Sequence, residues 1–119
     1  MKIALAGIEK TGLVKLMADG TITASDFAAD GKNPIEGILG PSWKTFTVLM
    51  DFAAVSYIDS SAIGWLIGTQ KMFREGGGGL AVYHLQPAVK QVLDLLKVGR
   101  LVPLCENEEA ARAAIGART

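Results

Sequence analysis

Short apolar runs rich in strand formers alternate along this chain with segments of helical period. Residues 44–52 are the central run, built on Phe46-Thr47-Val48-Leu49-Met50, and residues 80–85 repeat the pattern. Both read as buried strands. Helical spacing follows each one: residues 61–75 after the first, and Val89, Val92, Leu93 and Leu96 after the second. Residues 101–105 read as a last strand, on an edge because Pro103 cannot donate to a ladder. Asn107 can cap a final helix, with Glu108 and Glu109 in its first turn and Ala110, Ala113, Ala114 and Ile115 as its apolar stripe. Strands alternating with helices require right-handed crossovers, so the fold class is α/β with a mainly parallel sheet.

The N-terminal part departs from this alternation. Residues 3–8 and 13–17 are apolar and flank Glu9-Lys10-Thr11-Gly12, which predicts an antiparallel hairpin. Asp19-Gly20 reads as a second turn. Residues 24–29 read as a first helix, capped by Thr23 or Ser25. Residues 31–43 are irregular. Pro34, Gly37, Gly40 and Pro41 rule out one continuous helix, while Ile35, Ile38 and Leu39 suit a short packed turn of helix.

The chain has 119 residues, half of them hydrophobic, and shows neither repeat nor linker, which predicts one domain over 1–119. Net charge is zero and Lys and Arg do not cluster, so no nucleic-acid or polybasic membrane surface is expected. The lone Cys105 cannot form an internal disulfide, and no metal or cofactor is expected. No apolar run approaches the ~20 residues of a membrane span. Residues 1–6 are too short for a signal-peptide core, so the expectation is a cytoplasmic protein without membrane insertion.

Asp59-Ser60-Ser61 stands between the central strand and the next helix. All three side chains suit a helix N-cap, and the positive end of the helix dipole there favours an anion. A phosphate on such a serine would change the local charge by about −1.5 to −2. At 100° per residue, Ile63, Leu66 and Ile67 share a side with Gln70 and Arg74, and those three aliphatics are the expected core face. Ser61, Trp65, Gly68 and Met72 line the other side, with Gly64 at its edge. Glycines cost about 1 kcal/mol each in a helix interior, so two of them at i, i+4 imply close approach by another surface. Trp65 and Met72 either pack beneath residues 31–43 or anchor a partner. Gly76, Gly77, Gly78 and Gly79 end the helix. His84 falls in a predicted strand and reads as structural. Neither a nucleophile elbow nor a phosphate-binding glycine loop is present, so the chain is not expected to be an enzyme.

Val48-Leu49-Met50-Asp51-Phe52, followed by Val55-Ser56-Tyr57-Ile58-Asp59-Ser60-Ser61-Ala62-Ile63-Gly64, resembles the STAS domain of bacterial anti-sigma factor antagonists. The resemblance is strongest over 44–115, through Gln86-Pro87-Ala88-Val89, Val92-Leu93-Asp94-Leu95-Leu96-Lys97-Val98-Gly99 and Glu108-Glu109-Ala110. It implies that Ser60 is the phosphorylated residue, with Ser61 the competing acceptor, in a loop formed by Asp59, Ser61 and Ala62. Asp59 would shape that loop or help hold a cation. The resemblance also implies that the unphosphorylated protein binds an anti-sigma factor that is a serine kinase, and so regulates transcription. Phosphorylation would block that binding and a phosphatase would restore it. Gly64, Trp65, Gly68 and Met72 are the expected partner face. The chain departs mildly from the family's pattern at Ala62, where Gly or another small residue is usual, and further at Trp65, where a small aliphatic is common, and over 31–43. Two further readings stand beside this one. One is a STAS scaffold subunit of an ABC lipid-transport or stressosome-like assembly. The other is an enzyme with Ser60 as nucleophile. The oligomeric state is left open.

Overall fold

Side-chain alternation along the strands divides this protein into two layers around one sheet. The computed structural model describes residues 2–26 and 33–116. Its strands are β1 (Lys2–Ile8), β2 (Leu13–Ile22), β3 (Thr47–Ile58), β4 (Gly79–Tyr83) and β5 (Leu104–Cys105), side by side in that order. Its helices are α1 (Pro34–Leu39), α2 (Ser60–Gly76), α3 (Pro87–Leu95) and α4 (Glu108–Gly116). β1 and β2 are antiparallel, as the hairpin predicts, and every later pairing is parallel. The α/β class and the mixed sheet read from the sequence are therefore present.

Val14, Leu16 and Ala18 of β2, Val48, Met50 and Phe52 of β3, and Leu80 and Val82 of β4 face one way. They meet Ile35 of α1, Leu66 and Phe73 of α2, and Val89 and Leu93 of α3. The intervening Leu49, Ala81 and Tyr83 face the other way, against Ala111 and Ile115 of α4. This is the period of two that a strand covered on both faces imposes. The apolar stripe of α4 differs from the expected one, because Ala110 and Ala113 are exposed and Ala111 is buried. A run of alanines offers no contrast in size from which to read a face.

Several boundaries move for identifiable reasons. Asp19-Gly20 is not a turn: β2 runs through it, and Gly20 takes φ +90° between two shifts in the register with β3. It is a bulged position that glycine tolerates. β3 continues to Ile58, well past Phe52, because its second half pairs with β2 even though β4 pairs only with Thr47 to Asp51. β4 stops at Tyr83, since His84 takes φ +58°. The last strand contracts to Leu104–Cys105, and Cys105 is half-buried. Burial there still raises its thiol pKa. Of the first predicted helix, Ala24–Asp26 forms a 3₁₀ turn, and residues 27–29 lie outside the described residues.

The irregular segment packs as a clasp on α2. Asn33 caps α1 through Oδ1, which accepts the Ile35 amide at 3.0 Å, and its Nδ2 donates to Thr69 Oγ1 of α2 at 2.8 Å. Trp43 is buried edge-on against Phe73, ring centroids 5.0 Å apart. At the end of α2, a Cβ on Gly76 would lie 2.4 Å from Lys44 Cβ, and one on Gly78 would lie 2.1 Å from the Phe46 carbonyl. These two glycines let the 44–46 backbone pass close by.

Candidate functional site

Asp59 is the N-cap of α2. It is extended (φ −112°, ψ −176°), and its Oδ1 accepts the Ala62 amide at 3.1 Å. Its Oδ2 accepts the Ala24 amide, also at 3.1 Å, from the 3₁₀ turn after β2. Its own amide donates to the Ile22 carbonyl at 3.1 Å. One aspartate thus ties the end of β2, the turn beyond it and the start of α2 into a single junction. Both carboxylate oxygens are occupied by amides. Among the described residues no group of three or more His, Cys, Asp or Glu side chains is placed to hold a metal ion.

With the cap assigned to Asp59, neither serine is needed for it. Ser60 is the first residue of α2, and both Ser60 and Ser61 are exposed, while Ala62 is buried beneath them. The hydroxyl of Ser60 therefore stands in solvent at the positive end of a 17-residue helix. The site residues expected around it divide in two. Gly64 and Gly68 are exposed, and with Ser60 at i, i+4, i+8 they form one open stripe along α2. Trp65 and Met72 are half-buried and pack against the core. They flank the stripe as partial supports instead of projecting from it.

The core face of α2 is rotated from the expected one. Ala62, Leu66, Thr69, Gln70 and Phe73 are buried, whereas Ile63 and Ile67 are only half-buried. Gln70 lies on the side shared with Ile63 and Leu66, and it is buried by hydrogen bonding. Its Oε1 accepts the Leu80 amide at 2.9 Å, and its Nε2 donates to the Leu80 carbonyl at 3.1 Å. The side chain serves as a buried extra peptide unit beside β4. Tyr57, three residues before Ser60, is 55% exposed on the part of β3 that extends past β4. It is an aromatic surface residue that strand reading alone did not single out. Its signal is its place between the buried Val55 and Ile58.

His84 is exposed, follows β4, and has Nδ1 3.2 Å from Asp51 Oδ1. Its ring meets Tyr83 edge-on at 4.7 Å. Burial, reinforced by Asp51 and Glu108, raises the Tyr83 phenol to about 12. Ser60 is hydrogen-bonded to neither His84 nor Asp51 among the described residues. The nucleophile-to-base contact of a hydrolytic triad is not assembled here. On the opposite side of the sheet, Arg112 of α4 pairs with Glu9 and Glu108. Hydrogen bonding to Arg112 is the main cause that lowers both carboxylate pKa values. Among the described residues no helix is long and apolar enough to cross a membrane.

A five-stranded mixed sheet, a leading hairpin and an exposed serine opening the helix after the central strand define a distinct class of α/β domain. The chain belongs to the STAS domain family, whose model matches residues 10–111. A curated relative, the anti-sigma F factor antagonist of Paenibacillus polymyxa, is 28% identical over 61 residues. That match covers 51% of this chain and 52% of the relative, so the chain spans about half the length of that protein. The structure of the Bacillus anti-sigma factor antagonist SpoIIAA in its unphosphorylated form superposes with a TM-score of 0.66 at 20% identity, over 97% of each chain. A sulfate transporter family protein from Wolinella succinogenes superposes with a TM-score of 0.70 at 15% identity, over 93% of this chain and 89% of that one. Likeness at these identities establishes the fold.

Proposed function

We infer that this STAS domain is an anti-sigma factor antagonist. In this reading it binds an anti-sigma factor that is a serine kinase and releases a sigma factor. That kinase switches it off by phosphorylating Ser60, and a phosphatase switches it back on. The observation that carries the reading is the division of labour at the junction: Asp59 makes the cap, and the adjacent Ser60 hydroxyl is exposed and uncommitted. The curated relative, named for the same activity, supports it.

The physical effect of the modification follows from the position. A phosphate on Ser60 meets the positive end of α2, which favours a nearby anion by about 0.3–1 kcal/mol. Asp59 beside it is already held by two amides. The fold tolerates the dianion, and the change is felt on the open stripe of Gly64 and Gly68. A partner fitted closely to those glycines loses its place when about −1.5 to −2 charges appear at the stripe's head. The contact needs no backbone rearrangement in this chain. The kinase is also the partner, so docking brings its nucleotide to the hydroxyl.

Incubating the protein with the host's anti-sigma kinase and Mg-ATP, followed by peptide mapping, tests this reading. A single phosphoryl group on Ser60, absent in Ser60→Ala, is expected. Phosphorylation on Ser61 alone would move the switch by one residue. No transfer under conditions where the kinase is active would remove it.

A further inference from the structure

β1 ends the sheet on one side, and among the described residues no strand pairs with its outer edge. Such a strand presents unpaired N–H and C=O groups to solvent. Natural edges are guarded by proline, charge or shortness. β1 has seven residues and no proline, and Lys2 is its one charge. Leu5 and Ile8 are 47% and 61% exposed.

Its one irregularity, a bulge between Leu5 and Gly7, restricts how a second strand can pair. Before the bulge, Ile3 stands opposite Ala18, and after it Ile8 stands opposite Val14, both on the face toward α2. On the face toward α4, Lys2 stands opposite Asp19 and Gly7 opposite Lys15, and Glu9 reaches Arg112. Opposed residues in an antiparallel pair must share a face. A second copy of β1, laid antiparallel with Ile3 opposite Ile8, meets that condition on both sides of the bulge. The same register sets Ala4 opposite Gly7 and the exposed Lys2 opposite Glu9 of the other copy, each twice by symmetry.

We propose that β1 is a homodimerisation edge, at which two copies of this chain join their sheets antiparallel with Ile3 opposite Ile8 and Lys2 opposite Glu9. A contact of one seven-residue strand per copy lies at the low end of interface sizes, below about 1,200 Å². The dimer is therefore reversible and forms with rising concentration. The edge lies two strands from β3 and its Ser60 junction, so the dimer does not depend on the phosphorylation reading.

Sedimentation velocity over a concentration series tests the proposal with three proteins: wild type, Ile8→Lys, and Ile3→Cys/Ile8→Cys in a Cys105→Ser background. The wild-type mass is expected to climb from 12.5 kDa toward twice that value. Ile8→Lys is expected to associate about tenfold more weakly or less, with an unchanged far-UV spectrum. The paired cysteine variant is expected to give a disulfide-linked dimer on mild oxidation, while each single cysteine gives none. A wild type that stays monomeric throughout overturns the proposal. So does an Ile8→Lys variant that dimerises as tightly as wild type, and a dimer in which the paired cysteines do not cross-link.

Discussion

Asp59 and Ala24 are 35 positions apart in the chain, yet the carboxylate of the first accepts the amide of the second at 3.1 Å. The other oxygen of the same carboxylate caps α2 through Ala62. Replacing Asp59 by alanine removes a cap worth about 0.5–2 kcal/mol and a second hydrogen bond worth about 0.5–1.5 kcal/mol. The expected loss is about 1–3 kcal/mol in urea unfolding, with Asp59→Asn recovering most of it. A neutral Asp59→Ala would mean that the junction is held by other groups.

Ser60 is expected to behave differently. Its side chain is exposed and Asp59 makes the cap, so Ser60→Ala and Ser61→Ala should each change stability by no more than about 0.5 kcal/mol. Thermal unfolding of the two variants checks this. A loss near 1 kcal/mol at Ser60 would show that the serine takes part in capping.

Gln70 provides a sharper test of packing. Substituting leucine keeps the volume but leaves the amide and carbonyl of Leu80 buried without their present partner. Each unsatisfied group costs about 1–3 kcal/mol, so Gln70→Leu is expected to lose about 2–6 kcal/mol. Faster exchange of the Leu80 amide hydrogen would localise the effect. Unchanged exchange would contradict it.

The pH dependence is expected to carry the imprint of Arg112. Hydrogen bonds to it lower the pKa of Glu9 and Glu108 in the folded state, with Lys15 adding to the effect. A depressed carboxylate contributes stability above its unfolded pKa of about 4.3 and loses it as pH falls through the folded value. Wild type should therefore lose stability faster than Arg112→Met between about pH 5 and pH 3. Side-chain exposures of 34–37% make this a modest effect, weakened by salt. Parallel acid limbs in the two proteins would rule it out.

How much of this was legible in the sequence depended on the kind of signal. The order of strands and helices followed from alternating periods, and the Asp59-Ser60-Ser61 junction followed from polar residues placed between an apolar run and a helix. The glycines were harder. Gly64 and Gly68 were expected to admit a close neighbour and are exposed. The close approach within the chain is at Gly76 and Gly78, against Lys44 and Phe46, where the same letters had read only as a stop. The rotation of α2 was hidden because Ala62 and Thr69 are buried as small residues, which an apolar count does not register. Asp19-Gly20 looked like a turn because a bulge and a turn demand the same backbone freedom, and only the partner strand distinguishes them.

The central claim is that charge at Ser60 decides whether a partner binds. The most direct measurement is the affinity of wild type, Ser60→Ala and Ser60→Asp for the host's anti-sigma kinase, by calorimetry in one buffer. The expected result is comparable binding by wild type and Ser60→Ala, with Ser60→Asp weaker by at least about tenfold, or about 1.4 kcal/mol. Equal affinity of all three proteins would contradict the account and leave Ser60 as an exposed residue beside a helix cap.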